Sequence, residues 1–366
     1  MSRSFLLLYL LREANDLDLF ASRRQARRVR NLPLLNRGDD YVRQYRLSED
    51  MIEELQEELS NLVSTRTRGS LSIRLKLLCT LAFLATGSYQ RIIGRNIGTF
   101  MSQPSISRSI DEIVRLLSQP SIVRKYIRFP QNSAERTRLK EKFYEKFGIP
   151  GVIGCIDGTF VAIIRPRQNE DRFYCRKGFH ARNVLLITDA DLNILHVDSS
   201  FGGASHDSHI FNNSPIKSHL EQLINSGETA YLLGDSGYLQ RPYLMIPIAN
   251  AEDNSPEEHY NKLHATARNS VERAIGVLKG RFRCLLAHRV LHYAPDVAGR
   301  IITACCVLHN MCNRAGMPAP VLSVEEARRE ISMQEREQVA DSLLQDLNMG
   351  RAARNDLVNV LWRGRR

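Results

Sequence analysis

The sequence has no Cys-x-x-Cys pair, no internal repeat and no apolar run of membrane-spanning length. Its seven cysteines, an odd number, therefore supply neither a disulfide framework nor a zinc signature. The absence of a repeat removes the solenoid architectures. The stretch "CCVLHNMC" would set Cys305, His309 and Cys312 on one helical face. That pattern suits a metal cluster or, more simply, the apolar side of a buried helix, because free cysteine behaves as a small hydrophobe. Cysteine usage of this kind reads as a reduced, intracellular protein. The opening "MSRSFLLLYLLREANDLD" is too short in apolar residues to cross a bilayer and has no small-residue cleavage site. We read it as one face of a docking helix.

Positive charge is what the chain has in excess. Over 366 residues, 43% hydrophobic and 25% charged content are ordinary for a globular protein, but the formal charge is +11 and the pI about 9.5. Such a balance calls for a polyanionic partner, most simply nucleic acid, and says nothing about fold.

Four segments follow from the changes in pattern. Residues 1–66 read as helical and polar, with the arginine cluster "SRRQARRVR" at 22–30. That cluster fits a phosphate-contacting arm, a nuclear-import signal or a solvated helix face. Residues 67–130 hold "LSIRLKLLCTLAFLATG", with apolar spacing of three and four and Gly87 as a stop, then "SYQRIIGRNIG" and "SQPSISRSIDEIVRLLSQ". Three helices with a serine- and arginine-rich third resemble a helix-turn-helix, in which Ser105, Ser107 and Arg108 would meet DNA. Residues 131–318 begin with a connecting helix and then change period. "GVIGCIDGTFVAII", "NVLLITDADLNILHVDSS" and "TAYLLGDSGY" read as strands, the middle one a hairpin turning at "ADLN". Helices at 269–282 and 295–316 complete an α/β domain. Residues 319–366 form a charged, helix-prone tail without strong apolar faces, suited to partner docking or to loose order.

Three acids stand out. Asp157 lies inside an apolar strand, where an ionised carboxylate costs several kcal/mol unless something pairs with it or coordinates it. Asp235 follows the strand "AYLLG", and Glu272 opens the 269–282 helix. Each has a plain alternative: an arginine partner for Asp157, a turn for Asp235, and a capping box of Asn269 with Glu272. Together they suggest a second arrangement, with carboxylates at adjacent strand ends and on a facing helix converging on Mg²⁺ or Mn²⁺. Two such ions about 4 Å apart clamp the attacking and leaving oxygens of an in-line phosphoryl displacement.

The blocks "GVIGCIDGTFVAI", "CRKGFHARNVLLITDADLNIL", "GGASHDSHIFNNS", "LLGDSGYLQRPYLMIP", "SVERAIGVLKGRFRCL" and "ACCVLHN" resemble, in order, those of the PIF/Harbinger-type DDE transposases and of the nucleases derived from them. The resemblance covers roughly residues 70 to 316. It implies an RNase H-like α/β catalytic domain, a mixed sheet flanked by helices, preceded by an all-α helix-turn-helix region. By motif position the triad is Asp157, Asp235 and Glu272. Asp207 falls at a further acidic position, either a metal ligand or the N-cap of the helix beginning "DSHIF". Phe160 stands where many relatives carry histidine. Arg176, Lys177, Arg268, Arg273, Lys279, Arg281 and Arg283 surround these acids as phosphate contacts or as an ordinary solvated face. The resemblance further implies metal-dependent cleavage and strand transfer at transposon ends, a homodimer or larger assembly, a Myb-like DNA-binding accessory protein and a nuclear location with a cytoplasmic pool. The alternative is a domesticated nuclease or DNA-binding adaptor that no longer transposes.

Overall fold

The computed structural model describes residues 39–63, 71–96, 101–320, 322–334 and 344–365. The 1–18 segment read as a docking helix and the arginine cluster at 22–30 lie outside the described residues. The chain divides into two compact units, Met1–Leu116 and Leu117–Arg366.

The first unit is helical: α1 (Asp39–Tyr45), α2 (Glu49–Asn61), α3 (Ile73–Thr86), α4 (Gln90–Asn96) and α5 (Gln103–Leu117). In α3 every residue from Leu77 to Ala85 is buried, as expected of a helix that is apolar all round. The other helices pack about it. Ser72 caps its start by accepting from Leu75 N–H (3.3 Å), and Gly87, at φ +63°, ends it by donating to Phe83 O (2.8 Å). Lys76 on α3 reaches Glu112 on α5 at 2.7 Å. The α3–α4–α5 order is the one the sequence suggests, although residues 97–100 of the connecting turn lie outside the described residues.

The second unit begins with α6 (Pro120–Tyr126) and α7 (Ser133–Phe147), then builds a sheet from β1 (Val152–Ala162), β2 (Ala181–Thr188), β3 (Ile194–Gly202), β4 (Tyr231–Leu233) and β5 (Leu244–Met245). The strand order is β3-β2-β1-β4-β5. β1, β2 and β3 form an antiparallel meander, whereas β4 and β5 run parallel to β1. The switch from hairpins to crossover lets α8 (Asp207–Asn212) and α9 (Pro215–Asn225) lie between β3 and β4. Their Phe211, Ile216 and Leu220 pack with Ile156, Leu185 and Ile187. α10 (Pro256–Arg281) covers the opposite face, since Cys155, next to Ile156 and so pointing the other way, has its thiol at 3.4 Å from Ala267 O. α11 (Pro295–Arg314) is bound to β3 through Asn310, whose side chain pairs both N–H and C=O of Ile194. The hairpin expected at "ADLN" is present. Asp189 Oδ1 accepts from the N–H groups of Asp191 and Asn193 (2.8 Å each), which holds Leu192 at φ +66°.

Three expectations change. First, α10 does not begin near 269. Tyr260, His264, Ala267 and Val271 continue its buried stripe upstream to the Ser255 cap, so Asn269 and Glu272 sit mid-helix and form no capping box. Second, the charged tail is neither loose nor separate where it is described. α12 (Val324–Gln334) and α13 (Leu344–Gly364) pack onto the second unit, α13 on α10 and β5. Leu357, Val358 and Leu361 are buried, and Gly350 approaches Arg241 so closely that a Cβ would sit 2.8 Å from its Cα. A narrow apolar stripe among many charges was enough. Third, α6, read as the end of the DNA-binding region, belongs to the second unit, where Tyr126 O accepts from Asn310 Nδ2 at 2.9 Å.

Glu228, just before β4, ties α7 to the sheet. It accepts from Arg136 Nε and Nη2 (2.9 and 2.5 Å) and from Lys140 Nζ (2.9 Å). The Arg136 guanidinium, more than the burial that opposes it, holds this carboxyl at about 2, below its ordinary 4.5. The folded pKa is depressed, so the stabilisation is complete above pH 4.5 and is lost as pH falls toward about 2. Glu228→Gln is expected to lower stability by on the order of 2 kcal/mol at pH 7, with the gap to wild type closing in acid, as read from urea titrations across that range.

Candidate active site

Register places the first two acids side by side. Cys155 on β1 pairs with Leu233 on β4 in parallel, and Asp157 and Asp235 each lie two residues further along. Two contacts anchor α10 along β1: Cys155 with Ala267, and the carbonyl of Phe160 with Lys279 Nζ (3.0 Å). Five strand residues advance about 17 Å and twelve helical residues about 18 Å, so helix and strand run in step. Interpolation puts Asp157 level with the turn that carries Glu272. Asp207 comes from a different direction. Its carboxylate lies over the backbone of Gly158, where a Cβ would meet Asp207 Oδ2 at 2.4 Å.

All four acids line one cleft of about 700 Å³, together with Phe160, Arg176, Asn183, Arg268 and Arg273. Asp157 is 6% exposed and accepts from Gly158 N–H at 3.0 Å. Asp235 is half-buried and accepts from Gly237 N–H at 3.0 Å, so the turn reading of this residue also holds. Asp207 is the first residue of α8, while His206 occupies the cap, so the N-cap reading fails. Its Oδ1 accepts from Asn183 Nδ2 at 2.6 Å. Glu272 is half-exposed, and its Oε1 accepts from Arg268 Nη1 at 2.5 Å. Hard oxygen donors of this type suit Mg²⁺ or Mn²⁺. Among the described residues, however, no three acidic, histidine or cysteine side chains stand close enough to hold an ion as they are placed. Glu272 is occupied by Arg268, and that pair is a weak one. An i,i+4 pair at the surface contributes only about 0.3–0.5 kcal/mol, with arginine in the less favourable N-terminal position.

The basic residues separate into distinct groups. Arg176, Lys177 and Arg273 are exposed, and Arg176 and Arg273 face the cleft. Arg268 is engaged with Glu272, and Arg283 is paired with Glu326 of α12. Lys279 and Arg281 are corrections: each is 2% exposed and cannot form a phosphate-contacting surface. Lys279 donates to the Phe160 carbonyl and to Glu330 Oε2 (2.6 Å). Arg281 donates to Asn313 Oδ1 (2.6 Å) and to Met317 O (2.9 Å). They lie on the inward side of α10, where the sequence shows only basic residues at close spacing. In the first unit Arg108 is exposed, while Ser105 and Ser107 are half-buried.

Two contributors carried no sequence signal. Asn183 orients Asp207 from β2, opposite Phe160, and Glu330 reaches the cleft from a helix that sequence alone read as a tail. Cys305 and Cys312 are fully buried, Cys305 with its sulfur 3.9 Å from that of Cys284. His309 Nε2 donates to Leu192 O at 2.9 Å. Burial pulls this imidazole down to about 4, so it is neutral in a packed helix face. No described helix is long and apolar enough to cross a membrane.

Residues 156–310 match the model of the DDE superfamily endonucleases. HARBI1 of Bos taurus, which carries the name of a nuclease, is 33% identical over 306 residues, 82% of this chain and 86% of its own. The Mus musculus protein of the same name is 32% identical over 91% of this chain and 96% of its own. The ALP1-like protein of Arabidopsis thaliana is 26% identical over 66% of this chain and 61% of its own. No solved structure matches the chain.

Because Lys279 and Glu330 are buried partners, removing one strands the other. Lys279→Met is expected to destabilise by about 3–5 kcal/mol, and the double variant Lys279→Met/Glu330→Leu to regain part of that loss in thermal melts, the Phe160 carbonyl and Ala287 N–H staying unpaired. A surface phosphate contact would show neither effect.

Proposed function

Because the chain belongs to the Harbinger transposase-derived nucleases of the DDE endonuclease superfamily, we propose that it is a divalent-metal-dependent DNA endonuclease with an RNase H-like core. The observation that carries this reading is the gathering of Asp157, Asp207, Asp235 and Glu272 in one cleft by β1, β4, α8 and α10. Asp157, Asp235 and Glu272 are the proposed triad. Asp157 and Asp235 would hold one ion and Asp157 with Glu272 a second, once Glu272 leaves Arg268, and Asp207 is a further candidate ligand. Such ions, when bound, supply Lewis-acid activation of water and charge relief at the leaving oxygen. The residues themselves do the placing. Burial of Asp157 in the central strand fixes its carboxylate, Asn183 orients Asp207, and Arg176 and Arg273 offer positive charge to the backbone of a bound duplex. In hydrolysis a water oxygen forms a bond to phosphorus as the bond to the 3′ oxygen breaks. In strand transfer the freed 3′-hydroxyl forms a bond to phosphorus of a second phosphodiester as that strand's own bond to its 3′ oxygen breaks, the hydroxyl proton passing to solvent.

Ser105, Ser107 and Arg108 at the start of α5 are proposed to contact DNA as the recognition helix of a helix-turn-helix. A nuclear location, assembly into a dimer or larger complex, and a Myb-like DNA-binding partner fit the need to hold two ends together. The HARBI1 relatives bear the name of a nuclease and not of a transposase, which favours a domesticated nuclease at least as well as a mobile enzyme. Many gene copies flanked by terminal inverted repeats would mark the mobile form, and a single unflanked gene the domesticated one.

Purified protein with Mn²⁺ is expected to nick supercoiled plasmid. Chelation should stop the reaction, and Asp157→Asn or Asp235→Asn should reduce it to about 1% of wild type or less. Undiminished cutting by Asp157→Asn would remove the assignment.

A further inference from the structure

Between β1 and β2 the chain makes an excursion, residues 163–180, that the triad does not require. It carries Arg165, Arg167, Arg172, Arg176 and Lys177 against only Glu170 and Asp171, so its sign is positive. Its base is rigid. Phe160, Cys175 and Ala181 form a small buried cluster with Phe179 packed on it, and Phe179 meets Phe160 edge-on at 6.2 Å. Backbone bonds close the loop, Cys175 N–H to Phe179 O and Gly178 N–H to Cys175 O, both 2.9 Å, with Gly178 at φ +83° making the turn. Glu170 is spent within the loop, held by Arg165 (2.5 Å) and His180 (2.9 Å). Arg176 at the tip faces the catalytic cleft.

One residue of this loop contradicts its setting. Tyr174 is 51% exposed, an aromatic ring left largely in water two residues from Arg176. Its ring meets the His180 ring at 5.2 Å and 62°. Tyr89 and Tyr144 are more exposed still, but Tyr174 alone of the three stands beside the basic residues of this loop, and an exposed ring beside phosphate-binding charges is how proteins hold unpaired bases, by stacking.

We propose that the 163–180 loop grips DNA beside the cleft, with Arg176 and Lys177 on the backbone and Tyr174 stacked on a base that has left the helical stack. This inference rests on the DNA-nuclease reading above and adds to it a preference for unpaired or distorted DNA. Unstacking costs less where a base is already unpaired, so such a site should be favoured.

The test uses the full chain and two fluorescein-labelled duplexes of one sequence, one perfectly paired and one with a three-base unpaired bulge, in Ca²⁺ buffer. Wild type is expected to bind the bulged duplex about tenfold more tightly than the paired one. Tyr174→Ala should erase most of that ratio, while Tyr174→Phe, which keeps the ring, should retain it. Arg176→Ala/Lys177→Ala should weaken both duplexes alike and reduce the salt dependence of binding by up to about two counterions. A wild-type ratio near one, or an unchanged ratio in Tyr174→Ala, overturns the proposal while leaving the nuclease reading intact. Failure of the wild type to bind either duplex overturns the nuclease reading and this inference with it.

Discussion

Asp157 occupies the middle of the sheet, in a strand buried over its whole length between β2 and β4. A carboxylate in that position opposes folding unless its surroundings answer its charge, and here the Gly158 N–H donates to it at 3.0 Å. Neighbouring β1 residues all serve packing: Cys155 meets α10, Ile156 joins the cluster under α9, and Phe160 anchors the loop to β2. The cleft runs along the half of β1 that begins at Asp157 and includes Phe160. Gly158 follows Asp157, and there the absence of a side chain lets the Asp207 carboxylate approach the strand.

Helix α10 solves two problems at once. Its inward face runs in step with β1 and ends in a buried ammonium, Lys279, that binds a strand carbonyl and the carboxylate of Glu330. Its cleft-facing side carries Arg268, Glu272 and Arg273 at helical spacing. Because the two are one rigid rod of 26 residues, the height of Glu272 relative to Asp157 is set by packing contacts on either side of it. The C-terminal segment takes part in this support. Glu330 also accepts from Ala287 N–H at 2.6 Å, so α12 pins the end of α10 and borders the cleft.

Much of this organisation is legible residue by residue. The stop at Gly87, the strands around Asp157 and Asp189, and the hairpin between β2 and β3 follow from local preferences and turn chemistry, which act over a few residues. Acids at strand ends can be recognised for the same reason. The misread elements share a different cause. The true start of α10 was hidden because an Asn-x-x-Glu pattern occurs inside a helix as easily as at its beginning. Lys279 and Arg281 looked like surface charge because a helix carrying basic residues on several faces does not declare which face is covered.

What the sequence alone determined is most of the elements, the candidate acids and the positive charge of the whole. Those depend on side-chain chemistry and short-range spacing. Only the tertiary structure decided which charges are buried and which acids share a cleft. It alone decided that Glu272 rests on Arg268 and that a charged tail is a packed part of the domain. These are properties of contacts between residues far apart in the chain, such as Lys279 with Glu330 and Asn183 with Asp207, and no local pattern encodes them.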